Sequence, residues 1–180
     1  MDREQQKWTV VRTFNRHELV VSDFLKEAGL TCFIPMRYRE KMMDEGQKPR
    51  RILVPVIHNF VFVEKTMPTK DLNALLAKCR TPLYILKTKD TDKAVEIPNR
   101  EMLEFRMLCD PAFEREINIS VGEEDPEVGK EVEIVHGPFV GIRGRLYRKQ
   151  KKYWFVKTLA GISVELRITR WYCKPVSQEC

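Results

Sequence analysis

At 180 residues, with 43% hydrophobic and 32% charged residues, the chain has enough apolar material for one good core or two small ones and reads as a soluble globular protein. Its formal net charge of +6 and isoelectric point near 9.1 favour polyanionic surroundings. Five cysteines (Cys32, Cys79, Cys109, Cys173, Cys180) form no C-x-x-C pair, and neither the opening MDREQQKW nor any later run is apolar enough for a leader or a membrane span; these facts disfavour a disulfide framework, a metal site and an integral membrane protein, and a cytoplasmic location is expected.

Lys7–Thr13 (KWTVVRT) reads as a short strand. Asn15 is placed to cap a helix running to Ala28, with Val21, Phe24, Leu25 and Ala28 at i, i+3, i+4, i+7 and Gly29 as its stop. Cys32–Met43 opens as a strand in which Arg37, Arg39 and Lys41 alternate with Met36, Tyr38 and Glu40. The polar stretch 44–49 reads as a hairpin tip, and Ile52–Glu64 as an apolar return strand broken at Pro55 and at His58-Asn59. Thr69 is placed to cap a second helix striped by Leu72, Leu75, Leu76 and Cys79. Leu83–Lys87 is a strand and 89–93 a turn; Val95–Pro98 then leads into a third helix, Asn99–Cys109, with Met102, Phe105 and Cys109 inward. The order β-α-β-β-α-β-α is a split plan, an antiparallel sheet backed by helices.

From Asp110 to Pro126 the periodicity fades and acids accumulate, which marks a linker. Beyond it, Glu131–Val135, Ile142–Arg148, Tyr153–Thr158, Ser163–Ile168 and Trp171–Lys174 read as short strands of a small barrel. The expected class is therefore α+β, with an α/β domain at 1–110, a linker at 111–126 and a β-barrel at 127–180. Glu123–Glu133 carries six acids and one base, whereas Gly141–Val164 carries seven Lys/Arg and no acid. Such runs suit a solvated face as well as a contact surface.

The run VGKEVEIVHGPFVGIRGRL (Val128–Leu146) holds Gly129, Gly137, Gly141 and Gly144 between alternating apolar positions, and it resembles the KOW motif of NusG-type transcription factors and several ribosomal proteins. The first hundred residues resemble the NusG N-terminal domain at Trp8 with Val10-Val11, Phe33-Ile34-Pro35, Arg50-Arg51, Asn59–Val63 and Ile97-Pro98. The last fifty resemble its SH3-like KOW domain at Gly129, Val132, Gly137-Pro138-Phe139, Gly141, Gly144 and Val164-Glu165. Where general NusG proteins usually carry Pro-Gly-Tyr, this chain has His58-Asn59-Phe60; VPVIHNFVFV and FIPMRYR are closer to the UpxY class of specialised paralogues. That likeness implies antitermination at a long operon such as one for capsular polysaccharide. A general housekeeping NusG and a ribosome-associated KOW protein are the alternatives.

The resemblance implies that an apolar patch of Trp8, Val11, Phe33, Ile57 and Phe60 docks onto the clamp helices of RNA polymerase. From the residues alone, Phe33 and Phe60 read sooner as core than as contacts, while Trp8 is expected to be partly exposed. A hairpin bearing Arg37, Arg39, Lys41, Lys48, Arg50 and Arg51, extended by Arg12, Arg16 and His17, could follow single-stranded non-template DNA by phosphate contacts and stacking, or be an ordinary solvated ribbon. In the KOW half the implied partner surface is Phe139, Leu159 and Ile162. Its loop Leu159–Ile162 lacks the aromatic and the arginine common in general NusG, which argues against Rho and leaves the ribosomal protein NusE, RNA or no partner. A monomer without cofactor is expected. The three histidines (His17, His58, His136) are scattered, and the glycine run is neither a P-loop nor G-x-G-x-x-G, so no enzyme is expected.

Overall fold

The computed structural model describes residues 6–42, 48–88, 91–113, 117–121 and 129–176; most of the expected hairpin tip, part of the 89–93 turn, and the linker residues 114–116 and 122–126 lie outside them. In chain order the strands are β1 (Lys7–Thr13), β2 (Cys32–Phe33), β3 (Met36–Lys41), β4 (Arg50–Pro55), β5 (Phe60–Glu64), β6 (Leu83–Ile85), β7 (Ile97–Pro98), β8 (Ile117–Val121), β9 (Lys130–Ile134), β10 (Arg143–Lys149), β11 (Lys152–Leu159), β12 (Ile162–Ile168) and β13 (Cys173–Pro175). The helices are α1 (Glu18–Glu27), α2 (Thr69–Leu76) and α3 (Asn99–Leu108). The described residues of 1–35 and 55–103 form one compact unit, and those of 36–54 and 104–180 a second. The architecture is α+β with antiparallel sheets.

In the first unit β1 is central. It pairs antiparallel with β5 on one side and with β6 and β7 on the other, and β2 adds outside β5. Val10, Val11, Val61, Phe62 and Val63 are all fully buried, as the near-continuous apolar run of β5 requires of a strand covered on both faces. The expected single strands 32–43 and 52–64 are each broken. Ile34-Pro35 interrupts the first and residues 56–59 the second, so β3 and β4 leave the sheet as a separate two-stranded ribbon.

The first helix begins later than its sequence suggests. Asn15 (φ 54°) and Arg16 (φ 60°) adopt left-handed backbone, which closes a turn instead of opening a helix. His17 becomes the N-cap, and the inward stripe is Glu18, Val21, Ser22 and Leu25. Helix α2 likewise starts on Pro68 as N-cap, with Thr69 its first helical residue and Leu72 and Leu76 its buried face.

The second unit contains the β3–β4 ribbon and a six-stranded antiparallel sheet ordered β13-β9-β10-β11-β12-β8. Strand β8 falls in the stretch read as linker; its INISV alternation is hidden in sequence by the acids that follow, and it pairs with β12. The core collects Val132, Ile134, Phe139, Ile142, Phe155, Val156, Leu159, Ile162, Val164 and Leu166. Two of the clustered glycines have separate duties. Gly141 (φ 88°) turns the chain in a region that Cβ-bearing residues avoid. Gly144 sits where a Cβ would lie 2.5 Å from both the Phe155 ring and the Val156 carbonyl, so β10 approaches β11 only because that atom is missing.

Candidate functional site

One face of β1 carries Trp8, Val10 and Arg12, and the chain continues to Phe14. Strand alternation puts the first three on the same side. Trp8 is only 3% exposed and its indole N–H donates to the Asn99 side-chain oxygen at 3.0 Å, so the start of α3 covers that end of the face. The expected exposure of Trp8 is thus corrected: a strand residue beneath a helix start is core. Val11 points to the opposite face and is fully buried, and Ile57 and Phe60 are buried as well. Of the five apolar docking residues, only Phe33 is partly exposed; its ring lies 6.2 Å from that of Phe62.

The other end of the face is open. Arg12 is opposite Phe60 on β5 and Tyr84 on β6, so these three form a cross-strand row. The Arg12 guanidinium lies 4.6 Å over the Phe60 ring, which is why Phe60 is hidden. Phe14 (48% exposed) and Tyr84 (43%) meet with centroids 5.9 Å apart. This aromatic pair is the exposed apolar feature beside the expected residues, and sequence reading missed it because Phe14 falls just past the strand.

A buried clasp fixes the same end. Glu18, 2% exposed, accepts from the Asn59 backbone N–H at 3.0 Å and meets His58 Nδ1 at 2.8 Å. Burial pushes the Glu18 carboxyl up, but the hydrogen bonds from His58 and Asn59 outweigh it, and the carboxyl titrates below its ordinary value. Asn59 is left-handed (φ 69°); its side-chain oxygen accepts from Arg16 N–H at 2.8 Å and its carbonyl from Thr13 N–H at 3.1 Å. Arg16 is exposed and His17 half-buried at the helix cap, so in this unit both are tied to the turn by backbone before either can act by charge.

In the second unit Arg37, Arg39, Lys41, Lys48, Arg50 and Arg51 are all exposed on the ribbon, against one acid, Glu40, among its described residues. Alternation aligns Arg37, Arg39 and Lys41 on one face, while the Arg51 guanidinium lies 4.3 Å over the Tyr38 ring on the other. The ribbon is therefore basic on both sides.

The implied KOW surface is not a surface. Phe139, Leu159 and Ile162 are buried, and Phe139 meets Phe113 edge-on at 5.0 Å. The stretch 159–162 is no open loop: Ala160 (φ 52°) and Gly161 (φ 78°) make a two-residue hairpin turn, which leaves Leu159 and Ile162 as paired strand ends. No helix among the described residues is long and apolar enough to cross a membrane.

The sequence matches the family described as NusG, "Transcription termination factor nusG", over residues 6–106. A comparison with curated proteins gives no match. A solved structure, "Domain interaction in Thermotoga maritima NusG", is similar over 98% of this chain and 100% of its own, at 19% identity and a TM-score of 0.48.

Proposed function

The chain belongs to the NusG family, and from that premise we propose that it binds RNA polymerase during elongation and suppresses pausing or termination, without catalysis of its own. The family makes it a transcription elongation or antitermination factor; action at one long operon, as in the UpxY class, is the finer reading. The observation that carries the docking part is the open end of the first unit's sheet. The exposed Phe14–Tyr84 pair, flanked by Arg12 over Phe60, gives a rigid aromatic anchor on which a helix pair such as the clamp could bury area. Trp8, Val11, Ile57 and Phe60 then act from beneath, by holding the sheet that presents the pair. The basic ribbon supports contact with single-stranded non-template DNA, since its charges are exposed on both faces and Tyr38 offers a ring for stacking.

The test is co-purification with RNA polymerase. Phe14→Ala with Tyr84→Ala removes two exposed rings and leaves the core intact, so the protein should stay folded and retain less than about a tenth of its polymerase binding, as expected of paired aromatic anchors. Undiminished binding by a folded double variant would overturn the docking site.

A further inference from the structure

The second unit contains an open cleft of about 670 Å³ that no role assigned above uses. Its walls are the turn between β10 and β11, the end of β12 and the 3-10 turn Arg170–Tyr172. Lys151, Lys152, Arg167 and Arg170 line it, and no acid does. None of these four bases has an ion-pair partner among the described residues. Trp171, at its rim, is 86% exposed, more than any other large apolar side chain described. A single open tryptophan is unremarkable on a surface, but here Tyr172 and Tyr153 line the same cleft, and Tyr172 is braced edge-on by His136 at 5.7 Å.

The backbone adds a second observation. Gln150 (φ 50°) and Lys151 (φ 63°) form a two-residue turn in the left-handed region without a glycine or asparagine to ease it. The two-residue hairpin requires this backbone, and it fixes where Lys151 meets the cleft. The lining discriminates between ligand classes. Four bases without an acid call for a polyanion, and open π-faces call for flat groups on that polyanion; an acidic peptide supplies only the first.

We propose that this cleft is a binding site for single-stranded polynucleotide, with Trp171 as a stacking platform and Lys151, Lys152 and Arg170 neutralising phosphates. The site goes beyond the polymerase-docking reading and does not depend on it. Removing one stacking aromatic weakens single-strand binding about five- to 150-fold, and each neutralised charge lowers the slope of log affinity against log salt by about 0.7.

The experiment uses the full chain with Arg37→Gln, Arg39→Gln, Lys41→Gln, Lys48→Gln, Arg50→Gln and Arg51→Gln, so that residual binding reports this cleft and not the ribbon. Fluorescence anisotropy of end-labelled oligo(U) and oligo(dT) of about 12 nucleotides, a length within the usual span of single-strand sites, is followed as protein is added, alongside a labelled duplex of equal length and labelled polyglutamate. Binding of the single strands is expected, weakened at least fivefold by Trp171→Ala and largely kept by Trp171→Phe. Lys151→Gln with Lys152→Gln should lower the salt slope by about 1.4. Tighter binding of the RNA strand would identify transcript as the source, and of the DNA strand the displaced template partner; either supports the site. Equal binding of duplex or polyglutamate, or an affinity unchanged by Trp171→Ala in a folded variant, would overturn it.

Discussion

Glu18 is the residue whose loss should tell most about the first unit. It is a carboxylate buried against the core, and it satisfies the Asn59 N–H and His58 at once. Hydrogen bonds to a charged group contribute roughly 1.5–3 kcal/mol each, and deletion also strands a backbone donor. Glu18→Ala should therefore destabilise the unit by about 3 kcal/mol. Glu18→Gln keeps one acceptor and should cost about half of that. The assay is urea unfolding followed by Trp8 in a Trp154→Phe, Trp171→Phe background, so that the reporter lies in the same unit; with an m-value near 2 kcal/mol/M the midpoint should fall by about 1.5 M. The pH dependence has a fixed sign. The folded carboxyl titrates below its ordinary 4.5, so its contribution is complete above that value and is lost as pH falls through the folded value. The gap between wild type and Glu18→Ala should thus be full at neutral pH and shrink in acid. A gap below about 0.5 kcal/mol at neutral pH, or one that widens in acid, would refute the clasp.

The remaining predictions use other parts of the molecule. Trp8→Ala should cost about 3–5 kcal/mol through its cavity and the lost bond to Asn99, so polymerase binding is lost only together with protection of β1 amides from hydrogen exchange; lost binding with full protection would restore Trp8 as a contact. Gly144→Ala should destabilise the second unit by about 1–3 kcal/mol in thermal unfolding, because its new atom meets the Val156 carbonyl, and a smaller effect would mean that β10 can move off β11. Neutralising Arg37, Arg39 and Lys41 to Gln should lower the salt slope of single-stranded DNA crosslinking by about 2 and leave polymerase co-purification intact; an unchanged slope would return the ribbon to a solvated role.

The elements that could be read from sequence are those whose period is set by packing alone. Strand β1 has the expected ends because KWTVVRT is flanked by polar Gln5-Gln6 and by the Asn15-Arg16 turn, and the stripes at Leu72/Leu76 and Met102/Phe105 follow from helical spacing. What escaped was set by polar or tertiary choices. Glu18 and Ser22 face inward, so the apolar pattern of α1 points three residues too late. Strand β8 is obscured by the acid run next to it. Exposure escaped most often: alternation says which residues share a face, but not which end of that face a helix covers. That is why Trp8, on β1, and Phe14, just past its end, have opposite fates.

The departure at His58-Asn59-Phe60 looks like a loss when set beside Pro-Gly-Tyr, because a proline's fixed φ and a glycine's freedom both disappear. In this chain the turn is held by side chains. Asparagine is the residue that best tolerates left-handed backbone after glycine, and Asn59 takes that conformation. Its side chain then binds Arg16 N–H, a bond that glycine could not make, while His58 binds buried Glu18, a bond that proline could not make. Two side-chain bonds thus hold the turn. They fix Phe60 at the start of β5, opposite Arg12, and Arg12 in turn stands between Phe60 and Tyr84 in the cross-strand row. The shape of the aromatic end is therefore coupled to residues of the turn that never reach the surface. Altering that turn would reshape the proposed docking end with the exposed rings themselves unchanged.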